Sequence, residues 1–240
     1  MEQKITNNTK LVLVTHMFGN PSDMGSIVEI CKNHRLILFE DCAHAIGSRY
    51  NECQVGTFGD GALLSFGIYK MINAFGGGCL VVPANTSFVF RSSEHSNSFL
   101  DSFLENFIRF IFSILFIPWL HTLFLNPLMK FSKKRIPPLY QAVYPSGNDH
   151  TYIFKEKNRA PFKNYMNALI NQQLKNLETK IDRRSSISNK IKTNLKIYKE
   201  INFLVEDKFG FTNFSYLGIY VPAPDKLADH LENCQIITNP

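Results

Sequence analysis

The chain has 240 residues, 45% of them hydrophobic and 19% charged, which excludes a disordered or fibrous chain and suits a globular fold with a sizeable core. The formal charge is +6, much of the excess lying in Lys130–Arg135 and Lys180–Lys196; no motif interleaves basic and aromatic residues, so a solvated face or an anionic small ligand is expected and a nucleic-acid partner is not. Five cysteines (Cys31, Cys42, Cys53, Cys79 and Cys234), with no CxxC pair and no secretory signal, read as reduced thiols of a cytoplasmic protein, and no tight Cys/His cluster asks for a metal.

KLVLVTH, Lys10–His16, is a short run rich in β-branched residues, as in a buried strand. GNPSDM then supplies a turn and a helix cap, and Met24, Ile27, Val28 and Cys31 fall at helical spacing. RLILFED is a second buried strand ending in two acids, so the opening reads strand, helix, strand with a parallel crossover. GSRYNECQVGTFGD suggests a hairpin or loop, and GALLSF and GGCLVVPA two further buried strands. The fold class is α/β with a mainly parallel sheet, whose strand ends form the expected ligand crevice.

From Ser102 the composition changes. Phe110–Met129 holds no Asp, Glu, Lys or Arg and just reaches the length of a bilayer span, but Pro118, Pro127, His121 and Asn126 interrupt it. A protein-packed helical hairpin, an interfacial segment with Trp119 near the headgroups and a true span all remain open, so membrane association is an open expectation. A helical tract is expected from about Asn164 to Ile201, with Ile170, Leu174, Leu177 and Ile181 in one stripe that Ile187, Ile191 and Leu195 continue. A strand, a proline turn and a helix beginning near Asp225 come last. The expected domains are 1–95, a partial large domain; 96–150, an apolar helical insertion and linker; and 151–240, the long helix with part of a small α+β domain.

Three polar groups lie close in sequence: Asp41 ends the second strand, Ser65 the third, and Lys70 follows five residues later among uncharged neighbours. Read singly, an acid after a strand is commonly a cap, a serine a satisfied hydroxyl and a lysine a surface residue. Read together, they are the groups a pyridoxal-phosphate site needs: an amine for a Schiff base, a carboxylate for the pyridine nitrogen and a hydroxyl for the phosphate. Desolvation of Lys70 would lower its pKa and free the amine for attack.

The order of motifs is more specific. VTHMFG, DM, EDCAHAIG, GTFGD and SFGIYK resemble, in order and spacing, the strand-end, helix-start, acid, turn and lysine motifs of the DegT/DnrJ/StrS family of sugar aminotransferases. NALINQQLKNLE and FSYLGIYVPAPDKLADHL are similar to later parts of the family pattern. The resemblance implies part of a fold type I pyridoxal-phosphate transferase. It implies Lys70 as Schiff-base lysine and proton shuttle, Asp41 at the pyridine nitrogen, His44 beside the ring and its hydroxyl, and Ser65 at the phosphate. It also implies pyridoxal 5'-phosphate as cofactor, an amino donor (usually glutamate), a nucleotide-linked keto-deoxysugar as acceptor, and a homodimer. Family members are longer. The N-terminal part of the large domain, with its phosphate loop and ring-stacking aromatic, and the C-terminal end of the small domain are therefore expected to lie outside these residues. The alternative expectation is a catalytically incomplete remnant acting as a binding or membrane-associated module.

Overall fold

The computed structural model describes residues 1–67, 70–74, 76–84, 86, 123 and 164–234. Residues 1–89 and 162–228 form one compact unit, described below; a second comprises 90–161 and 229–239. Apart from Leu123, the Phe110–Met129 segment lies outside the described residues, and among those described no helix is long and apolar enough to cross a membrane.

Strand β1 (Leu11–Thr15) leads into helix α1 (Met24–Asn33) and strand β2 (Ile37–Asp41), as the apolar spacing predicts. Asp23 caps α1, accepting from the Ser26 N–H at 3.2 Å and its hydroxyl at 2.6 Å. The helix buries Met24 and Cys31 and ends before Arg35, whose φ of 53° lies in the left-handed region. β1 and β2 pair in parallel, Leu11 opposite Ile37 and Thr15 opposite Asp41. Strand β5 (Gly61–Ser65) joins β2 in parallel, and β6 (Gly78–Val81) joins β5, giving the order β1-β2-β5-β6.

Two expectations are corrected here. GGCLVVPA does not give a buried strand: β6, antiparallel to β5 in an otherwise parallel sheet, is exposed along its length. β1 is buried on one face only. Val14, Leu38 and Ala62 face the core with Met24 and Cys31 of α1, whereas Leu11, Leu13, Ile37, Leu63 and Leu80 remain exposed on the opposite side. Parallel sheets are ordinarily covered on both faces; among the described residues this one is covered on one.

The hairpin β3 (Arg49–Tyr50) and β4 (Cys53–Gln54) forms as expected, but it gains a distant third strand, β8 (Gly210–Phe211), on β3. Strands β7 (Asn202–Phe203) and β9 (Ile219–Tyr220) pair with each other, and helix α4 spans Pro224–Asn233. The expected long helix is two: α2 (Asn164–Lys175) and α3 (Leu177–Leu195), parted at Asn176 with φ −108° and ψ 14°. Asparagine competes with the helix for its own backbone partners, which makes it a natural break. The expected apolar stripe is accordingly divided: Ile170 and Ile181 are buried, but Leu174, Ile187 and Ile191 are exposed.

Candidate functional site

The site is built on the end of β2 and the two loops that follow β2 and β5. Glu40 and Asp41 are adjacent on β2, so strand alternation sends them to opposite faces. Glu40 is fully buried. Its Oε2 accepts from His16 Nε2 at 3.2 Å and the Gly56 N–H at 2.7 Å, and its Oε1 from the N–H groups of Phe58 and Gly59 at 2.8 and 3.0 Å. Burial pushes the carboxyl upward, but His16 and the three backbone donors outweigh it and hold the acid below its ordinary range.

Cys42 completes a buried trio with His16 and Glu40, all within ligating distance of one another. The sequence gives no hint of this cluster, because His16 lies on a different strand end from Glu40 and Cys42. Its chemistry is structural. Both carboxylate oxygens already accept two hydrogen bonds each, and burial, with Glu40 and Asp41 nearby, pushes the Cys42 thiol up to about 12, far from a thiolate ligand.

Lys70 lies half-buried in a loop whose neck is closed by Ala74 N–H and Gly76 N–H, both donating to Phe66 O at 2.9 and 3.0 Å. Burial lowers the Lys70 pKa, and the negative charge of Asp41 offsets part of that. His44 is lowered too, first by burial and then by Lys70, with Asp41 opposing. The three predicted residues are thus close enough to feel one another's charge. Asp41 Oδ1 is fixed by the Ala43 N–H at 3.0 Å. Ser65 joins them through Gly67: a methyl group added there would lie 3.8 Å from Ser65 Oγ and 3.6 Å from Lys70 Cγ, so hydroxyl and lysine stem flank one point.

His44 is walled by rings. Phe18 stacks at 6.5 Å and Tyr216 tilts at 4.9 Å, with Phe18 and Tyr216 edge-on at 5.9 Å. Its Nδ1 is buried without a hydrogen-bond partner, an arrangement that costs free energy unless a ligand or water supplies the missing group. Phe18 could have been suspected from its place in HMFG, where it takes a left-handed φ of 58°. Tyr216 carries no such signal.

Part of the chain is similar to known proteins. Residues 1–88 match the DegT/DnrJ/EryC1/StrS aminotransferase family. GDP-perosamine synthase of Escherichia coli O157:H7 is 46% identical over 86 residues, covering 36% of this chain and 24% of that protein. The dTDP-3-amino-3,6-dideoxy-alpha-D-galactopyranose transaminase of Aneurinibacillus thermoaerophilus is 47% identical over 66 residues, covering 28% of this chain and 18% of its own. The solved structure of Spr1654 from Streptococcus pneumoniae in its PLP form is 16% identical at a TM-score of 0.64 and covers 99% of this chain and 56% of that one. The chain therefore has part of the fold type I aminotransferase fold, as the motif order implies, and spans about a quarter of the length of the curated relatives it matches.

Proposed function

We propose that this chain contributes the Schiff-base half of a pyridoxal-phosphate-dependent aminotransferase acting on a nucleotide-linked keto-deoxysugar. The observation that carries the reading is the half-buried Lys70, its amine lowered by burial, within electrostatic reach of Asp41 and His44. The relatives' names, a GDP-sugar synthase and a dTDP-sugar transaminase, support the acceptor class.

The residues present fit the cofactor. Asp41, His44 and Lys70 lie within reach of one another's charge, Ser65 Oγ flanks the Lys70 stem, and the buried unpartnered Nδ1 of His44 is open to a hydrogen-bonding group such as the cofactor carries. A bound pyridoxal phosphate supplies an aldehyde with which amines condense and a ring that accepts electrons. Lys70 brings an amine that is uncharged more often than an exposed lysine, hence a better nucleophile, and its Nζ takes up and returns a proton. Asp41, with Oδ1 committed to Ala43, keeps Oδ2 to hold a proton on a ring nitrogen. Ser65 Oγ would donate to a phosphate oxygen of the bound group, and Phe18 and Tyr216 would flank it beside His44. Glutamate is the proposed amino donor, and a homodimer the proposed working form.

Borohydride reduction of the full chain with pyridoxal phosphate, followed by peptide mapping, tests the reading. Label fixed on Lys70, and lost in Lys70→Ala, is expected. Label absent, or scattered over surface lysines, sinks it. The bare sheet face supports a second reading, a binding module without turnover. Undiminished sugar product in cells carrying only Lys70→Ala would favour that one.

A further inference from the structure

The Lys70 loop carries more fastening than a surface turn needs. Gln173, on α2 one hundred residues away, meets it through both ends of its side-chain amide. Its Oε1 accepts from the Asn73 N–H at 3.1 Å, and its Nε2 donates to Asn73 O at 2.7 Å and to Leu169 O at 3.1 Å. Lys180 Nζ, from α3, donates to the same Oε1 at 3.1 Å. These contacts fix which end is oxygen, since one side faces a backbone N–H and the other two carbonyls. All four hydrogen-bonding capacities of the amide are used, none of them on water.

Around the amide the packing is apolar. Phe66, Ile72 and Ala74 of the loop are buried against Met166 and Ile170 of α2, with Ile46 and Leu177 at the margin. Ile46 belongs to the loop that bears His44, and that loop is fastened in the same way: Asn213 Nδ2 donates to His44 O at 2.9 Å and Ile46 O at 2.8 Å. Both loops are therefore held by amides from the C-terminal half of the sequence.

We infer that Gln173 is a positioning residue: by pairing with both backbone groups of Asn73 it keeps the loop closed and holds Lys70 against Asp41 and His44. The consequence for Lys70 follows from solvation. An open loop returns the amine to water and removes the burial that lowers its pKa, whereas Asp41 and His44, the charged and titratable groups facing it, stay on the other loop. What Lys70 then does rests on the cofactor reading above; the clamp itself does not.

The test uses the full chain without cofactor. Two quantities are measured by mass spectrometry: amide hydrogen exchange across residues 70–74, and the pH midpoint for acylation of the Lys70 amine by acetic anhydride. Gln173→Leu is expected to quicken the exchange by about tenfold, the scale of one lost hydrogen-bonded pair, and to move the midpoint up toward that of exposed lysines. Gln173→Glu keeps the acceptor for Asn73 and Lys180 but sets an oxygen against Asn73 O, so it falls between. Gln172→Leu, on an exposed neighbour, alters neither. A folded Gln173→Leu chain with unchanged exchange and midpoint overturns the inference. Should that variant not fold, Lys180→Met, which removes only the outer bond, is expected to shift both in the same direction, and no shift there or in Gln173→Glu overturns it equally. If the midpoint moves but the unmodified chain takes no pyridoxal phosphate at Lys70, the clamp stands and the cofactor reading falls. If Lys70 is labelled but the midpoint does not move, the reverse holds.

Discussion

Two polar clusters, one buried and one half-buried, lie within a few residues of each other, and they are built on opposite terms. Around Glu40 every lone pair is occupied, by His16 and three backbone donors. Around Asp41, one residue on, the accounts are left open: Lys70 is half-buried and depressed, and His44 has an unpartnered buried nitrogen. The first arrangement fixes the chain. The second costs stability and waits for something to complete it. Completeness of hydrogen bonding, together with depth of burial, separates the frame from the site.

The largest effect should come from breaking the frame. Glu40→Ala leaves His16 and three backbone donors without their acceptor, and is expected to cost about 3–5 kcal/mol in denaturant unfolding or to prevent folding outright. Acid gives a gentler version. The folded Glu40 pKa lies below its unfolded value, so its contribution is fully present above the ordinary glutamate range and is lost as pH falls through the folded pKa. Stability measured against pH should fall there, and Glu40→Gln should lack that component.

The site should respond in the opposite sense. The folded Lys70 pKa is depressed, so the unfolded chain binds more protons between that value and the ordinary lysine range. Stability should therefore rise with pH across that window in the unmodified chain, and Lys70→Met should flatten the rise while stabilising the chain near neutrality. A Lys70→Met chain less stable at neutral pH would remove the distinction between frame and site. His44→Gln, which keeps a hydrogen-bonding side chain there, is expected to keep pyridoxal phosphate on Lys70 in borohydride trapping while removing the imidazole's step from the pH dependence of labelling.

The smallest effect belongs to neither cluster. Arg49 and Glu178 make a 2.6 Å ion pair, but Glu178 is largely exposed. A double-mutant cycle should return about 0.2–1 kcal/mol, diminishing with salt. A larger value would mean that β3 is tied to α3 more firmly than the frame comparison allows.

Much of the frame could be read from the sequence, because its signals are local. The crossover from β1 through α1 to β2 follows from β-branched runs, the Asp23 cap and helical spacing, and Asp41, Ser65 and Lys70 stand out as polar groups at strand ends. In the structure Asp41, His44 and Lys70 lie within reach of one another's charge, and Ser65 flanks the Lys70 stem. What the sequence hides is non-local. The antiparallel turn of β6, the addition of β8 to β3 and the amides of Gln173 and Asn213 depend on partners up to about one hundred and seventy residues away, and a satisfied amide leaves no periodicity to detect. The extended apolar stripe fails for a related reason: spacing names a face, but not where a break such as Asn176 redirects it.

The distances along the chain that separate these contacts also set an order in time. The Glu40 cluster is complete once the ribosome has delivered residue 59, since His16, Gly56, Phe58 and Gly59 all precede that point. The His44 loop cannot be fastened until Asn213 emerges, because its amide supplies the bonds to His44 and Ile46, and Gly19, at a φ of 84°, leaves room for that side chain where any Cβ would collide with it. A nascent chain thus completes its scaffold well before the amide that fastens its reactive loop emerges, so a product interrupted between the two is framed but unfastened.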